Sequence, residues 1–451
     1  MYQFPQHLTK TVSDRWETLV AGEYEPPSLP PISLLKRLLE VCYLVSLETD
    51  EARPLKFTVC CIPTAYPITQ QFSGAPVEAL RFNHDRDFNV GEIRRLAATT
   101  DVDSSAIWIT YSPSRKGVLQ THGLINQGPS WATARRSFTY WYESPPNALI
   151  VRVLGPGRLS VYQGVYLVAA LSSGRVQESR AVSTLEFLGI SKFLKHGIDK
   201  LSTMIDGAEQ YLPTLEPPEY EPPKERYEFE YIAYLNSILS VINIIQSKGH
   251  GGALILTQDS IDFSKQDQLK IKYQFASMND LLQRRFIEFI QFRNRGANLR
   301  WRYVSGPEED PESDSVSERA DTLAADLKTE EKFQSLMEAA TFVGNLSGAD
   351  GAIVITDTLR LIGFSAEIVA GQHTSSKIYS VTNPLQDKRR RLDLEQFGMR
   401  HRSAIKLCSN NPDLIVFVIS QDGDVSLVWR KGADVMVRRG VNITNANMPL
   451  A

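Results

Sequence analysis

Residues Gly348–Ile368 read GADGAIVITDTLRLIGFSAEI, and the Asp350-Gly351 pair within them stands in an unusual place. Between two strands such a pair makes a tight hairpin turn, yet here it fronts an apolar run and leads directly into Ala-Ile-Val-Ile. A carboxylate at the mouth of a buried strand, reached by a helix and a Gly-containing turn, sits at a sheet end open to solvent. There a magnesium or manganese ion could be held against phosphate oxygens. Gly351 would let a ligand come close to the backbone. Taken alone, an Asp-Gly-Ala triplet is more often a solvated turn.

Upstream, TEEKFQSLMEAATFVGNLSG predicts a helix with Thr329 as N-cap and glutamates in its first turn. Before it, SGPEEDPESDSVSERAD is acidic, carries two prolines and has Val316 as its only large apolar residue, so it reads as a surface insertion. Its carboxylates lack the alternating spacing and central glycine of a calcium loop. The segment GGALILTQ from Gly251 echoes DGAIVITD from Asp350, and the two read as Gly-led strand starts rather than a domain repeat, because their flanks differ. Two more helices are expected, EFEYIAYLNSILSVINIIQSKG ending near Gly249 and SMNDLLQRRFIEFIQFRN.

The clearest boundary is YLPTLEPPEYEPPKERYEFEY, Tyr211–Tyr231, whose Pro-Pro pairs among glutamates favour an extended linker. It divides the chain into an N-terminal α+β domain (1–210), a Pro/Glu-rich linker (211–228) and a C-terminal α/β domain (229–451) on a mixed sheet flanked by helices. In the first domain LKFTVCCI, AIWITYS, NALIVRVLG and RLSVYQGVYLVAALSSG read as strands, giving a meander-like β core. NVGEIRRLAATTD and the stretch from Thr184 to Leu212 read as helices. GPGRL at Gly155 is a turn and not a phosphate loop, since the lysine and following hydroxyl are missing.

With 451 residues, 42% of them hydrophobic, the chain can bury more than one core. A net charge of -3 gives no global pull toward nucleic acid. Cys42, Cys60, Cys61 and Cys408 are too few and too irregular for a disulfide framework or a zinc site, and read as reduced core thiols of a cytoplasmic protein. The start lacks the features of a signal peptide, and ISLLKRLLEVCYLVSL is too short and too charged to span a bilayer, so no membrane partner is expected.

Two further stretches could carry chemistry. In FGMRHRSAIKLC, Phe397–Cys408, two arginines flank a histidine and offer several donors in a short arc that suits a triphosphate. By itself the triplet is more often a solvated basic turn. PDLIVFVISQDGDVSLVWRKG reads as strand, Asp-Gly turn and strand, with Ser420, Gln421 and Asp422 at the turn. GHGG around His250 reads as a close-packed glycine turn, and KRRR, Lys388–Arg391, as a solvated loop.

Taken in order, helix, DGA and strand, then G-x-RHR-x-A about fifty residues on, then an aliphatic strand with S-x-D-G, this chain resembles the diadenylate cyclase (DAC) family and its DisA-type nucleotide-binding domain. The likeness covers about Ala340–Val437. IWITYS and VLGPGRLSVYQG also resemble the N-terminal module of the branch that places a sensor domain before a cyclase-like domain. The resemblance implies condensation of two ATP into cyclic di-AMP with release of pyrophosphate, by two facing copies of the domain. It implies catalytic roles for Asp350, Arg400, His401 and Arg402, and ATP contacts from Gly351, Ala352, Met399, Ser420 and Asp422. It further implies a divalent Mg or Mn ion on Asp350 and Asp422, and self-association. The chain departs from the family pattern in two places: Met399 replaces a common Thr, and Ser420-Gln421-Asp422 replaces Ser-Glu-Glu. Those departures keep open a second reading, a catalytically degenerate module that senses nucleotide or cyclic dinucleotide. A third, a nucleic-acid-binding protein, is disfavoured by the acidic balance and the lack of interleaved aromatics.

Overall fold

The computed structural model describes residues 2–17, 28–64, 78–102, 104–112, 118–126, 148–164, 166–172, 174–178, 190–209, 223–259, 268–305, 316–369, 377–383, 388–421 and 423–441. The chain divides into two compact units, one of Met1–Val182 with Thr444–Ala451 and one of Ser183–Ile443.

In the first unit, helix α1 (Pro5–Arg15) and helix α2 (Ile32–Ser46) lead to a two-residue hairpin, β1 (Thr49–Asp50) and β2 (Arg53–Pro54). Then come β3 (Phe57–Pro63), β4 (Glu78–Asp87), helix α3 (Val90–Thr99), β5 (Ser105–Tyr111), β6 (Leu119–Asn126), β7 (Leu149–Gly155), β8 (Arg158–Gln163), β9 (Tyr166–Ser172) and β10 (Arg175–Glu178). Eight strands form one sheet in the order β10-β9-β8-β7-β3-β5-β6-β4. Strands β7 to β10 are an antiparallel meander, as the sequence suggested, whereas β3 and β5 run parallel. The Gly155–Gly157 segment is a hairpin turn, with φ of 137° and 66° at its glycines. Leu35, Leu38, Leu39, Cys42 and Val45 of α2 recur at helical spacing and are buried on the sheet. Each such leucine contributes about 1.5–3 kcal/mol when buried, enough to hold this helix despite Lys36, Arg37 and Glu40 on its other face.

The second unit contains helix α4 (Ser191–Glu209), helix α5 (Pro223–Ser247), β11 (Gly252–Thr257), β12 (Leu269–Asn279), helix α6 (Leu281–Ser305) and helix α7 (Val316–Asn345). They are followed by β13 (Ala352–Thr356), β14 (Leu361–Ile368), β15 (Ile378–Asn383), β16 (Lys388–Leu392), helix α8 (Met399–Asn410), β17 (Leu414–Ile419), β18 (Val425–Lys431) and β19 (Asp434–Arg439). Nine strands form a mixed sheet in the order β12-β14-β13-β11-β17-β18-β19-β15-β16. Side chains alternate across it. Ile255, Val354, Val416, Val418 and Val428 form one core with Ala404, Ile405, Leu407 and Cys408 of α8. The intervening Leu254, Ile353, Ile415 and Phe417 are equally buried, on the other face, where α5 lies against β11 and β17. The fold is therefore mixed α/β with two large mixed sheets and eight α-helices among the described residues.

Several sequence expectations meet different physics. Helix α7 starts at Val316, so Thr329 is an interior residue and no N-cap; its hydroxyl donates to the Ala325 carbonyl one turn back at 2.8 Å. Residues 306–315 of the acidic insertion lie outside the described residues, and Val316–Asp321 are helical. Helix α5 begins at Pro223, inside the stretch read as linker, because a proline fits the first helical turn; residues 211–222 lie outside the described residues. Helix α4, read with the first half, packs in the second unit, where the His196 ring meets the Asp357 carboxylate at 2.7 Å. Lys388–Arg391 is no loop: it is an edge strand paired with β15. All four cysteines are buried, and none is in a disulfide. No described helix is long and apolar enough to cross a membrane.

Candidate functional site

Three adjacent strands of the second sheet bring their ends together. Strand β11 pairs in parallel with β13, with Ala253 opposite Ala352, and antiparallel with β17, with Gly252 opposite Ile419. The starts of β13 and β11 and the finish of β17 therefore share one end of the sheet. Neighbouring strands lie about 4.8 Å apart, so Asp350 and Ser420, at the outer two of these strand ends, stand about 10 Å apart.

On β13, α7 and a 3₁₀ turn (Leu346–Gly348) deliver the chain to an exposed Asp350. The Asp350 backbone carbonyl accepts a 2.6 Å hydrogen bond from the Ser365 hydroxyl of β14, which fixes the main chain and leaves the carboxylate outside. Gly351 has φ of 119°, and a Cβ there would lie 2.7 Å from the Ser365 carbonyl carbon. Only glycine allows β14 to close over this turn. Ala352 is buried as the first residue of the strand.

On β11, the expected glycine turn is present: Gly249 and Gly251 have φ of 73° and 71°. A Cβ on Gly251 would lie 2.8 Å from the Ile419 carbonyl, 2.9 Å from Arg400 Nη1 and 3.1 Å from the Gln421 amide nitrogen. Arg400 Nη2 donates to the His250 carbonyl at 3.3 Å. These contacts place the guanidinium over the shared strand ends while the residue stays exposed. The His250 Nδ1 lies 2.6 Å from the Gly251 carbonyl oxygen, and its Nε2 is buried with no hydrogen-bond partner.

The rest of the basic triplet has other partners. Gly398 precedes α8, so Met399, Arg400, His401 and Arg402 make its first turn. His401 stacks on Phe397 at 5.9 Å between ring centres, and the Arg439 guanidinium lies 4.5 Å from the same ring. Arg402 pairs with Glu395 at 3.1 Å. Met399 is 78% exposed. On β17, the Ser420 hydroxyl and amide both donate to the Asp424 carbonyl, at 3.0 and 2.9 Å, and close the turn to β18. Gln246 of α5 buttresses that turn through the Gly423 carbonyl at 2.6 Å. Asp422 lies outside the described residues.

Asp350, Gly351, Arg400 and Ser420 thus meet at one sheet end. The sequence reading did not single out Ser365, Gln246 or Glu395; each acts through a tertiary contact that no local pattern announces, whereas the glycines of GHGG did mark the close approach at Gly251. Chemically, the arrangement offers an exposed carboxylate, the backbone of Gly251 and Gly351, and a guanidinium held beside Gly251. Such a set suits an anionic ligand, and a hard divalent cation that takes one carboxylate from protein and its other ligands from phosphate and water. Among the described residues no group of three or more His, Cys, Asp or Glu side chains could by itself hold a metal ion.

Residues 24–126 match the family model described as "Probable sensor domain DACNV". The matched stretch runs from before α2 to the end of β6, so it lies in the first unit, and it includes IWITYS but not VLGPGRLSVYQG. No match among curated proteins was found.

Proposed function

We propose that the second unit is a diadenylate-cyclase-like nucleotide domain, and that the first unit, which contains the sensor-domain match, governs it. The observation that carries this reading is the meeting of Asp350, Gly351, Arg400 and Ser420 at the ends of β13, β11 and β17. The Arg400 guanidinium would grip triphosphate oxygens, and the glycine backbones would admit the nucleotide to the sheet edge. A magnesium or manganese ion fits the open Asp350 carboxylate and, when bound, would neutralise charge building on the phosphates. In the reaction the ribose 3′-oxygen of each ATP attacks the α-phosphorus of the other, and pyrophosphate leaves as the new bond forms. Phosphoryl transfer of this kind depends on alignment and charge neutralisation, so no protein nucleophile is needed. One domain holds one ATP; two must face each other, which makes self-association part of the proposal. Four buried reduced thiols suit a cytoplasmic setting.

A second reading has its own support. Met399 offers no hydroxyl where the family commonly has Thr, and Arg402 is engaged by Glu395. A site with fewer phosphate contacts could bind nucleotide or cyclic dinucleotide without turning it over. The separating experiment gives the full chain ATP with manganese or magnesium, and reads cyclic dinucleotide and pyrophosphate by mass spectrometry. Product that depends on Asp350, lost in Asp350→Asn, and a rate rising faster than linearly with enzyme concentration support the cyclase. Binding of ATP without product supports the sensor, and no binding of either nucleotide removes both.

A further inference from the structure

Within the sensor-matched segment, the edge strand β4 bulges. Arg81 pairs with Gly123 and Arg86 with Thr121, so four residues, Phe82–Asp85, stand opposite the single His122 of β6. Bulges of this kind re-aim side chains at sheet edges and recur beside binding sites. The distortion is pinned from both sides. His122 Nδ1 meets the Asp85 carboxylate at 2.6 Å, and Gly123 lets the Leu80 carbonyl approach to a point 1.9 Å from where a Cβ would stand.

Between the bulge and α3 lies a cleft of about 490 Å³, lined by Phe82, Asn83, His84, Arg86, Glu92, Arg95 and Leu96. That volume is within the range of small-molecule sites, about 300–1,000 Å³. Its charge is unbalanced. Two guanidiniums converge on one carboxylate: Arg86 Nε lies 3.5 Å from Glu92 Oε1 and Arg95 Nη1 lies 3.0 Å from Glu92 Oε2. Glu92 itself is held in the first turn of α3, where its amide donates to the Asn89 side chain at 2.9 Å. One carboxylate cannot use the donor capacity of two guanidinium forks. Phe82 and Leu96 supply an apolar wall beside them.

We propose that this cleft is the ligand site of the sensor segment, and that it takes a small organic oxyanion, phosphate ester or carboxylate, on a flat apolar body. The oxyanion joins Glu92 as a second partner for Arg86 and Arg95, and the flat body lies along Phe82 and Leu96. The assignment rests on the sensor reading of residues 24–126 and is independent of the nucleotide reading of the second unit.

The test is titration calorimetry on the full chain with phenyl phosphate, benzoate and inorganic phosphate. Phenyl phosphate or benzoate should bind more tightly than inorganic phosphate; which of the two wins identifies the oxyanion. Arg86→Ala and Arg95→Ala should each weaken binding about tenfold, with melting temperatures unchanged because both side chains are largely exposed. Glu92→Gln should tighten binding severalfold, since it frees both arginines, and Arg400→Ala should leave it unchanged. No binding of either aromatic probe at millimolar concentration would overturn the proposal. So would binding untouched by the arginine variants, equal affinity for inorganic phosphate, or loss in Arg400→Ala alone, which would assign the heat to the second unit.

Discussion

Ala253 and Ala352 are partners across two parallel strands, so GGALILTQ and DGAIVITD lie side by side in register, Ala253–Thr257 opposite Ala352–Thr356. Their leading residues, Gly251 and Asp350, therefore arrive together at the sheet end. The likeness between the segments follows from this common position, since each begins a buried strand at a crowded edge where backbone must come close to something else.

That crowding leaves little room for a side chain at Gly251. Its φ of 71° costs an L-residue about 1–2 kcal/mol, and a methyl would press on the Ile419 carbonyl and on Arg400 Nη1. Gly251→Ala should lower the melting temperature by a few degrees and, by displacing Arg400, should weaken ATP binding as well. An unchanged ATP affinity in a folded Gly251→Ala protein would show that Arg400 is not held for the ligand.

The two arginines of the triplet should differ. Arg400 sits over the strand ends, whereas Arg402 is paired with Glu395 on the surface. Arg400→Ala should weaken triphosphate binding by about 1–3 kcal/mol, and Arg402→Ala by less than half of that. Neither should shift thermal unfolding by more than about a degree, since exposed ion pairs contribute little. Equal losses at both sites, read by titration calorimetry, would contradict the geometry.

How much of this was legible beforehand follows the range of the interactions involved. Strands such as Ala352–Thr356 and Leu414–Ile419 declare themselves because both faces are buried and every residue is apolar or nearly so. The glycines at 251 and 351 mark close approaches, which is a local property of the backbone. Edge strands do not declare themselves: Glu78–Asp87 and Lys388–Leu392 carry charged residues along exposed edges, so that the former raises no strand signal and Lys388–Arg391 reads as a loop. The start of α7 was missed because Thr329 followed by glutamates imitates an N-cap, while the true helix runs on through the weakly amphipathic stretch before it. The roles of Ser365, Gln246 and Glu395 depend on contacts across 15, 177 and 7 residues of chain, and no periodicity carries that information.

Two aspartates bracket β13 and should respond in opposite ways. Asp350 is exposed, but Asp357 is fully buried. One Asp357 carboxylate oxygen meets His196 Nδ1 at 2.7 Å, and the other accepts from the Asp259 amide at 3.2 Å. Truncating a buried acceptor strands its donors, at about 1–3 kcal/mol for each group left unsatisfied. Asp357→Ala should therefore lower the melting temperature by several degrees, at about 2–4 °C per kcal/mol for a unit of this size. Asp350→Asn should leave it in place while abolishing any metal-dependent turnover. A stability loss at Asp350 equal to that at Asp357 would mark the former as structural.

The last expectation concerns acid. His122 is 6% exposed, its Nδ1 faces the Asp85 carboxylate, and its Nε2 is buried with no hydrogen-bond partner. A neutral ring satisfies this setting, with its one proton on Nδ1 donated to Asp85; a second proton would place an unpaired N–H in the interior. Burial accordingly lowers the His122 pKa below the ordinary 6.5, and outweighs the opposing attraction of Asp85. The unfolded chain then binds a proton at a higher pH than the folded one, so stability rises with pH across the interval between the two values. The contribution is fully present above about pH 6.5, shrinks as the pH falls below it, and stops changing once the pH is under the depressed value of the folded state. Melting curves of the wild type between pH 7.5 and pH 5, set beside those of His122→Gln, should differ in slope, with the variant flatter because its amide donates to Asp85 without titrating. Parallel slopes across that interval would mean that His122 titrates alike in the folded and unfolded chains, and that the bulge at Phe82–Asp85 is not held by a neutral histidine.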